Sequence, residues 1–171
     1  MSRRSTLVVA ASGALLMLSS IHAVGHENES ATAKATIGKA TVIIDYRRPS
    51  LKGRDLMKMI HPGDLWRLGA DAPTTIESNS DLDFGGTRVA KGKYVLLARY
   101  LEPGKWTLVV STKDRLHYEP SAKLAEVPLQ AEEGRPLVEQ LKINLSGRGG
   151  KGTIEIAWGG YRLTALFEAA K

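Results

Sequence analysis

Residues 154–167 read IEIAWGGYRLTALF, and this stretch decides the fold class. Before its pair of glycines, Ile154, Ile156 and Trp158 alternate with polar or small residues, and a similar alternation follows the pair. Alternation with period two is the pattern of a half-buried β-strand, and two glycines between such runs are typical of a hairpin turn. The stretch therefore predicts two antiparallel strands joined by a tight turn.

The same alternation recurs along most of the chain. The longer segments that show it are 41–46, 94–100, 106–111 and 141–145, and the shorter candidates are 66–68, 74–78, 81–84 and 124–129. Turn signals of hairpin length separate them, which leaves no room for crossover helices between parallel strands. We therefore predict an all-β protein, an antiparallel β-sandwich of about eight to ten strands, with barrel-like closure left open and at most one short helical turn, over 55–60.

The apolar residues on the inward faces of these segments form the predicted core. They are Val42, Ile44, Leu96, Trp106, Leu108, Ile143, Ile154, Ile156 and Trp158. Proline cannot donate a hydrogen bond to a sheet, so the strand that contains Pro128 is expected at an edge.

Composition excludes several classes of protein. The chain has 171 residues and no cysteine, which rules out disulfides, zinc–thiolate sites and a thiol nucleophile. With 43% hydrophobic and 25% charged residues, it is typical of a folded domain rather than a disordered chain. The formal net charge is +6.

The N-terminus has the pattern of a secretory signal. Arg3 and Arg4 precede an apolar run over 7–18, and small residues follow it up to Ala23. The run is shorter than the roughly 20 residues that span a bilayer, so no transmembrane span is expected. We predict a signal peptide over 1–23, a polar tether over 24–35 and one β-sandwich domain over 36–171, in a protein secreted across the inner membrane to the periplasm or beyond.

Two patterns that could indicate a cofactor or metal are better explained otherwise. Residues 147–152 contain G-x-G-x-x-G, but a strand follows where a dinucleotide fold needs a helix, so a hairpin loop is favoured. The histidines His26, His61 and His117 have no spacing typical of metal ligands. No cofactor and no metal are therefore expected.

Positive charge is concentrated between residues 47 and 67. The six bases there are Arg47, Arg48, Lys52, Arg54, Lys58 and Arg67, against two acids, Asp55 and Asp64. Such a segment can attract an anionic ligand, or it can be a solvated face whose arginines pair with carboxylates elsewhere. Nucleic acid is not expected as a partner, because secretion removes it and no known binding module is visible.

A candidate ligand site lies in the same region. Its residues are Arg47, Arg48, Arg54, Trp66, Arg67 and Asp71. Arg54 and Arg67 are expected to lie near Asp71, since guanidinium groups bind carboxylates in bidentate geometry, and Trp66 offers a flat stacking face. A structural corner would use the same residues, so both interpretations stay open.

Three blocks carry a resemblance to a known family. They are IDYRRPSLKGR at 44–54, LWRLGADAPTT at 65–75 and AKGKY at 90–94. Together they resemble the bacterial secreted family called domain of unknown function 2911, over about residues 36–167. The chain departs from the family pattern at Asp71, where Asn is usual, at Ala90-Lys91, where Pro-Ala is usual, and at Pro73, where Glu is frequent. The resemblance implies an envelope protein with a mainly β domain and no established activity.

Two functions follow from these observations. We interpret the chain as a non-enzymatic binding or interaction module for an anionic or sugar-like ligand of the envelope. The alternative is a hydrolase or lyase acting on cell wall or glycan, with Asp45, Asp71 or His61 as proton-transfer groups, which requires two titratable groups to converge in a cleft.

Overall fold

The protein is an antiparallel β structure. A computed structural model describes residues 28–134 and 136–171, so the predicted signal peptide lies outside the described residues. The strands are β1 (Glu29–Ile37), β2 (Ala40–Arg48), β3 (Leu65–Trp66), β4 (Thr75–Ser78), β5 (Leu82–Phe84), β6 (Thr87–Val89), β7 (Gly92–Glu102), β8 (Lys105–Ser111), β9 (Lys123–Glu132), β10 (Val138–Arg148), β11 (Lys151–Gly159) and β12 (Tyr161–Ala169). Two single 3₁₀ turns, Leu56–Lys58 and Pro120–Ala122, accompany them.

One continuous path of hydrogen-bonded strands curls almost into a barrel. Its order is β1-β2-β4-β7-β8-β9-β12-β11-β10, and every pairing in the described chain is antiparallel. Strand β9 makes the corner, because residues 123–129 pair with β8 and residues 130–132 pair with β12. This confirms the predicted antiparallel all-β fold. Barrel-like closure, which the sequence left open, is the form that the sheet takes.

The seam between the two end strands is closed by the chain that follows β2. The Leu141 N–H donates to the Pro49 carbonyl at 3.0 Å, and the Leu51 N–H donates to the Glu139 carbonyl at 2.8 Å. Tyr46 spans the seam from β2, since its hydroxyl accepts from the Ile143 N–H at 3.0 Å and lies 3.3 Å from the Ile143 carbonyl. The buried Tyr46 hydroxyl therefore accepts from a backbone N–H that would bind a neighbouring strand in a fully paired barrel.

Replacing Tyr46 by phenylalanine is expected to lower the free energy of unfolding by about 1–3 kcal/mol, because the Ile143 N–H stays buried without an acceptor. Denaturant unfolding measures the change. Tyr94→Phe is the matched control, since the Tyr94 hydroxyl has no hydrogen bond in the described chain. Equal stability of the two variants would contradict this account of the seam.

The core is the one that alternation predicts. All nine predicted core residues are at most 6% exposed, from Val42 and Ile44 on β2 to Ile156 and Trp158 on β11. The 3₁₀ turn at 56–58 lies within the predicted helical turn.

The number of strands and one boundary differ from the expectation. There are twelve strands in the described chain rather than eight to ten. Residues 29–35, which the sequence assigns to a polar tether, belong to β1, where Ala31, Ala33 and Ala35 pack against the core. Pro128 does not lie on an edge strand, because β9 stands between β8 and β12 in the path. The part of β9 that contains Pro128 pairs only with β8, whereas residues 130–132 pair with β12.

The glycine-rich segment 147–152 is a hairpin. Gly149 and Gly150 both have positive φ, 58° and 84°, and form the two-residue turn between β10 and β11. Gly147 and Gly152 have another role, because a Cβ atom would collide with the Thr36 carbonyl at the first position and with the Phe167 ring at the second. Close packing therefore accounts for these two glycines without a phosphate ligand.

Within residues 28–134 and 136–171 no helix is long and apolar enough to cross a membrane.

Candidate functional site

A solvent-open cleft of about 320 Å³ lies beside the 3₁₀ turn at 56–58. Its inner surface is formed by Trp66 of β3, Trp106 of β8 and Trp158 of β11, with Ile156 and Leu163 beside them. We call it the tryptophan cleft. Its volume is near the lower end of the roughly 300–1,000 Å³ of ordinary ligand pockets, so it suits a small molecule.

The three tryptophans hold one another in place. Trp66 stacks on Trp158 with ring centroids 5.6 Å apart and planes 15° apart, and it meets Trp106 edge-on at 6.4 Å. Tyr100 also packs against Trp106, with ring centroids 4.8 Å apart. Such aromatic contacts fix ring orientation beyond what area burial does, so the inner surface of the cleft is pre-formed.

Two of the indole N–H groups differ in hydrogen bonding. Trp158 Nε1 donates to the Glu139 carbonyl at 3.3 Å, whereas Trp106 Nε1 is buried without an acceptor among the described residues. A buried, unpaired donor costs about 1–3 kcal/mol. The Trp106 ring therefore keeps its N–H away from solvent, with its hydrogen bonding incomplete among the described residues.

The outer wall of the cleft is an apolar segment. Leu56, Met57, Met59 and Ile60 line it, on and just after the 3₁₀ turn. The turn is capped by Asp55, whose side chain accepts from the Met57 N–H at 3.0 Å. Methionine side chains are flexible and polarisable, so this wall can adjust to ligands of different shape.

Four polar side chains occur in the lining: Asp64, Arg67, Arg115 and Tyr161. The carboxylate of Asp64 is engaged, because its Oδ2 accepts from the His61 N–H at 2.8 Å and lies 3.5 Å from the His61 ring nitrogen. Burial raises the pKa of Tyr161 above its usual value, and the nearby carboxylates of Glu133 and Asp55 act in the same direction. The Tyr161 phenol is therefore protonated at neutral pH and can donate a hydrogen bond.

The loop that follows Trp66 and Arg67 is held in a strained shape. Leu68 is fully buried with φ of 53°, and its carbonyl accepts from the Thr74 hydroxyl at 2.8 Å. Positive φ at a residue other than glycine costs free energy and persists only where its surroundings enforce it. This turn begins directly after Arg67, while Trp66 is held by the pairing of β3 with Ala98 of β7.

Asp71 anchors the far end of the same loop. It also has positive φ, 57°, and its Oδ2 accepts from the Asn28 N–H at 2.9 Å and from the Asn28 side chain at 3.0 Å. The Asn28 side-chain hydrogen bond lowers the pKa of Asp71 most, and the Arg47 and Arg67 charges add to the effect. Asp71 is thus an ionised positioning group rather than part of the cleft.

The six predicted site residues separate into two groups. Trp66 and Arg67 line the tryptophan cleft, and the Arg67 guanidinium lies 3.4 Å from the Asp71 main-chain oxygen. The other arginines bind the chain itself: Arg47 donates to the Asn28 carbonyl, Arg48 to the Leu141 carbonyl and to Glu29, and Arg54 to the Ser50 and Leu51 carbonyls. No hydrogen bond in the described chain joins Arg54 to Arg67 or Asp71, because its guanidinium closes its own loop.

The three acid–base candidates have unrelated surroundings. Asp45 accepts from the Thr32 hydroxyl and pairs with Lys93, Asp71 binds Asn28, and the exposed His61 ring pairs with Asp64. None of the three lines the tryptophan cleft. Across the described chain, no group of three or more His, Asp or Glu side chains is arranged to hold a metal ion.

Sequence reasoning missed part of the site. It assigned Trp106 and Trp158 to the core alone and gave no role to Arg115, Tyr161 or the methionines. Both tryptophans are 6% exposed, so their predicted burial is confirmed. Alternation carries no signal for a cavity beside a buried ring.

The fold and the cleft together define an all-β protein with an almost closed antiparallel barrel and an aromatic cleft. The chain belongs to the family described as Protein of unknown function (DUF2911), whose model matches residues 28–166. This confirms the resemblance seen in the sequence blocks. Neither the curated proteins nor the solved structures contain a significant match to the chain.

Proposed function

We propose that this protein is a secreted, non-enzymatic binding module that takes a small molecule with an apolar body into the tryptophan cleft. The observation that carries the proposal is the cleft itself, an open and pre-formed cavity of about 320 Å³ with an apolar inner surface and an apolar outer wall. Apolar surface left open to water costs free energy, and a ligand that covers it recovers about 25 cal/mol per Å².

The lining favours one of the two ligand classes left open by the sequence. A free sugar presents hydroxyl groups on every side, and each buried hydroxyl needs a partner. Most of the lining is apolar, including the tryptophan rings, Leu56, Met57 and Ile60, and only a few polar groups could bind the hydroxyls of a sugar. An amphipathic molecule is therefore preferred to a carbohydrate.

Secretion rests on the sequence. The basic start, the apolar run over 7–18 and the small residue Ala23 support export and cleavage near Val24. A location in the periplasm or beyond would expose the cleft to apolar and amphipathic molecules of the envelope.

A neutral apolar dye tests the proposal directly. N-phenyl-1-naphthylamine, whose fluorescence rises in apolar surroundings, is expected to bind the purified protein at one saturable site. Met59→Glu places a charge on the outer wall of the cleft and is expected to weaken dye binding about tenfold, because the carboxylate resists desolvation.

Leu137→Glu is the matched control, since both residues are exposed apolar side chains and only Met59 lines the cleft. Its dye affinity should equal that of the unmodified protein. Absence of saturable binding, or equal losses in the two variants, would refute the cleft as a binding site.

A further inference from the structure

We infer that the ligand of the tryptophan cleft is an aliphatic carboxylic acid, with its carboxylate between Arg67 and Arg115 and its hydrocarbon chain against the outer wall. The inference rests on the proposed function and deepens it by naming the ligand class.

The two arginines come from distant parts of the chain and meet at one place. Arg67 follows β3, and Arg115 lies in the loop between β8 and β9. Both line the tryptophan cleft, and both also line an adjoining smaller pocket of about 60 Å³. Their side chains therefore stand at the junction of the two cavities, on the rim of the apolar space.

Neither guanidinium has a carboxylate partner within ion-pair distance in the described chain. Among the described residues, Arg67 makes one long hydrogen bond, to a main-chain oxygen, and Arg115 makes none. By contrast, Arg88, Arg99 and Arg162 each pair with an acid at 2.7–3.2 Å. The rim thus holds two cations whose bidentate capacity is unused.

The neighbouring acids are already engaged. In the smaller pocket, Asp71 binds Asn28, while Asp114 accepts from the His117 ring at 2.9 Å and from the Leu116 and His117 N–H groups. The His117 side chain is the main cause that lowers the pKa of Asp114. In the cleft, Asp64 is held by His61. An anionic ligand would therefore meet two available guanidinium groups and carboxylates that are committed elsewhere.

The shape of the cleft favours an alkyl chain over an aryl ring. Trp66 and Trp158 stack face to face, and Trp106 meets Trp66 edge-on. The tryptophans therefore already use one another as stacking partners. The outer wall is Leu56, Met57, Met59 and Ile60, whose side chains are aliphatic. A flexible hydrocarbon chain can follow such a wall.

The test compares straight-chain acids with alcohols of equal length by calorimetry, from octanoate to dodecanoate. The affinity of the acids is expected to rise about fourfold for each added methylene. Each acid should also bind at least about tenfold tighter than its alcohol, and this advantage should shrink at high salt because exposed charges are screened.

Arg67→Gln and Arg115→Gln are expected to reduce the acid affinity by about tenfold each, as loss of a charged hydrogen bond does, and to leave the alcohol affinity unchanged. Arg148→Gln is the control, because this exposed arginine does not line the cleft. Dodecyl phosphate separates a carboxylate ligand from a phosphate headgroup, and tighter binding of the phosphate would overturn the assignment to a carboxylic acid.

The failures of the two proposals are distinguishable. If N-phenyl-1-naphthylamine and the alcohols bind while acids gain nothing from the arginines, the carboxylate is wrong and the proposed function stands. If neither the dye nor any alkyl compound binds, the proposed function is wrong as well.

Discussion

Replacing Trp158 by alanine is expected to lower the free energy of unfolding by about 3–5 kcal/mol, as for other buried tryptophans. Trp158 is 6% exposed, stacks on Trp66 and ties β11 to β10 through its bond to the Glu139 carbonyl. Removal of the ring leaves Trp66 without its stacking partner. The same variant should therefore lose binding of N-phenyl-1-naphthylamine, and denaturant unfolding and dye titration measure the two effects.

Trp158→Phe separates packing from the hydrogen bond. Phenylalanine keeps a ring against Trp66 and loses the indole N–H, so its stability should fall between those of the unmodified protein and the alanine variant. If alanine and phenylalanine were equally destabilising, the stacked pair would not be the source of the stability.

Gly147→Ala is expected to destabilise the fold by about 1–3 kcal/mol or more, the usual range for overpacking. Its Cβ would meet the Thr36 carbonyl of β1 and the Ile37 side chain. A backbone carbonyl cannot move aside as a flexible side chain does, so the end strands must separate at this point. Thermal or denaturant unfolding checks the prediction.

Gly160→Ala is the matched control. Gly160 has an ordinary φ, and a Cβ there would find only the Leu137 side chain, at 3.9 Å. The free energy of unfolding of this variant should stay within about 0.5 kcal/mol of that of the unmodified protein, as for most surface substitutions. A comparable loss in both variants would show that the contact between β1 and β10 is not tight.

Alternation predicted the strands whose inward residues are large. The hairpin of β11 and β12 was read from the sequence almost residue by residue, since Ile154, Ile156 and Trp158 leave no doubt about the buried face. Strand β1 was missed because its inward residues are alanines, which carry little apolar signal. Pairing with β2, not the apolar content of β1, makes that segment a strand.

The candidate site was predicted only in part for a different reason. Trp66 and Arg67 lie in a block whose composition attracts attention, and both line the cleft. Arg115 joins them from a loop about fifty residues later, and Trp106 and Trp158 come from two further strands. Spacing along a chain shows which residues share a strand face but not which distant faces surround an empty volume.

The seam closed by Tyr46 has a consequence for how the chain folds. The groups it joins are 97 positions apart in the sequence, one on β10 at one end of the strand path and the other on β2, next to the strand at the other end. Contacts of such long range form late, because the loop between them must first be ordered. We therefore expect a curled sheet with two open edges to precede the almost closed barrel. Open edges pair readily with other chains, so the time spent before closure, more than the final stability, should govern how much of the newly made protein aggregates.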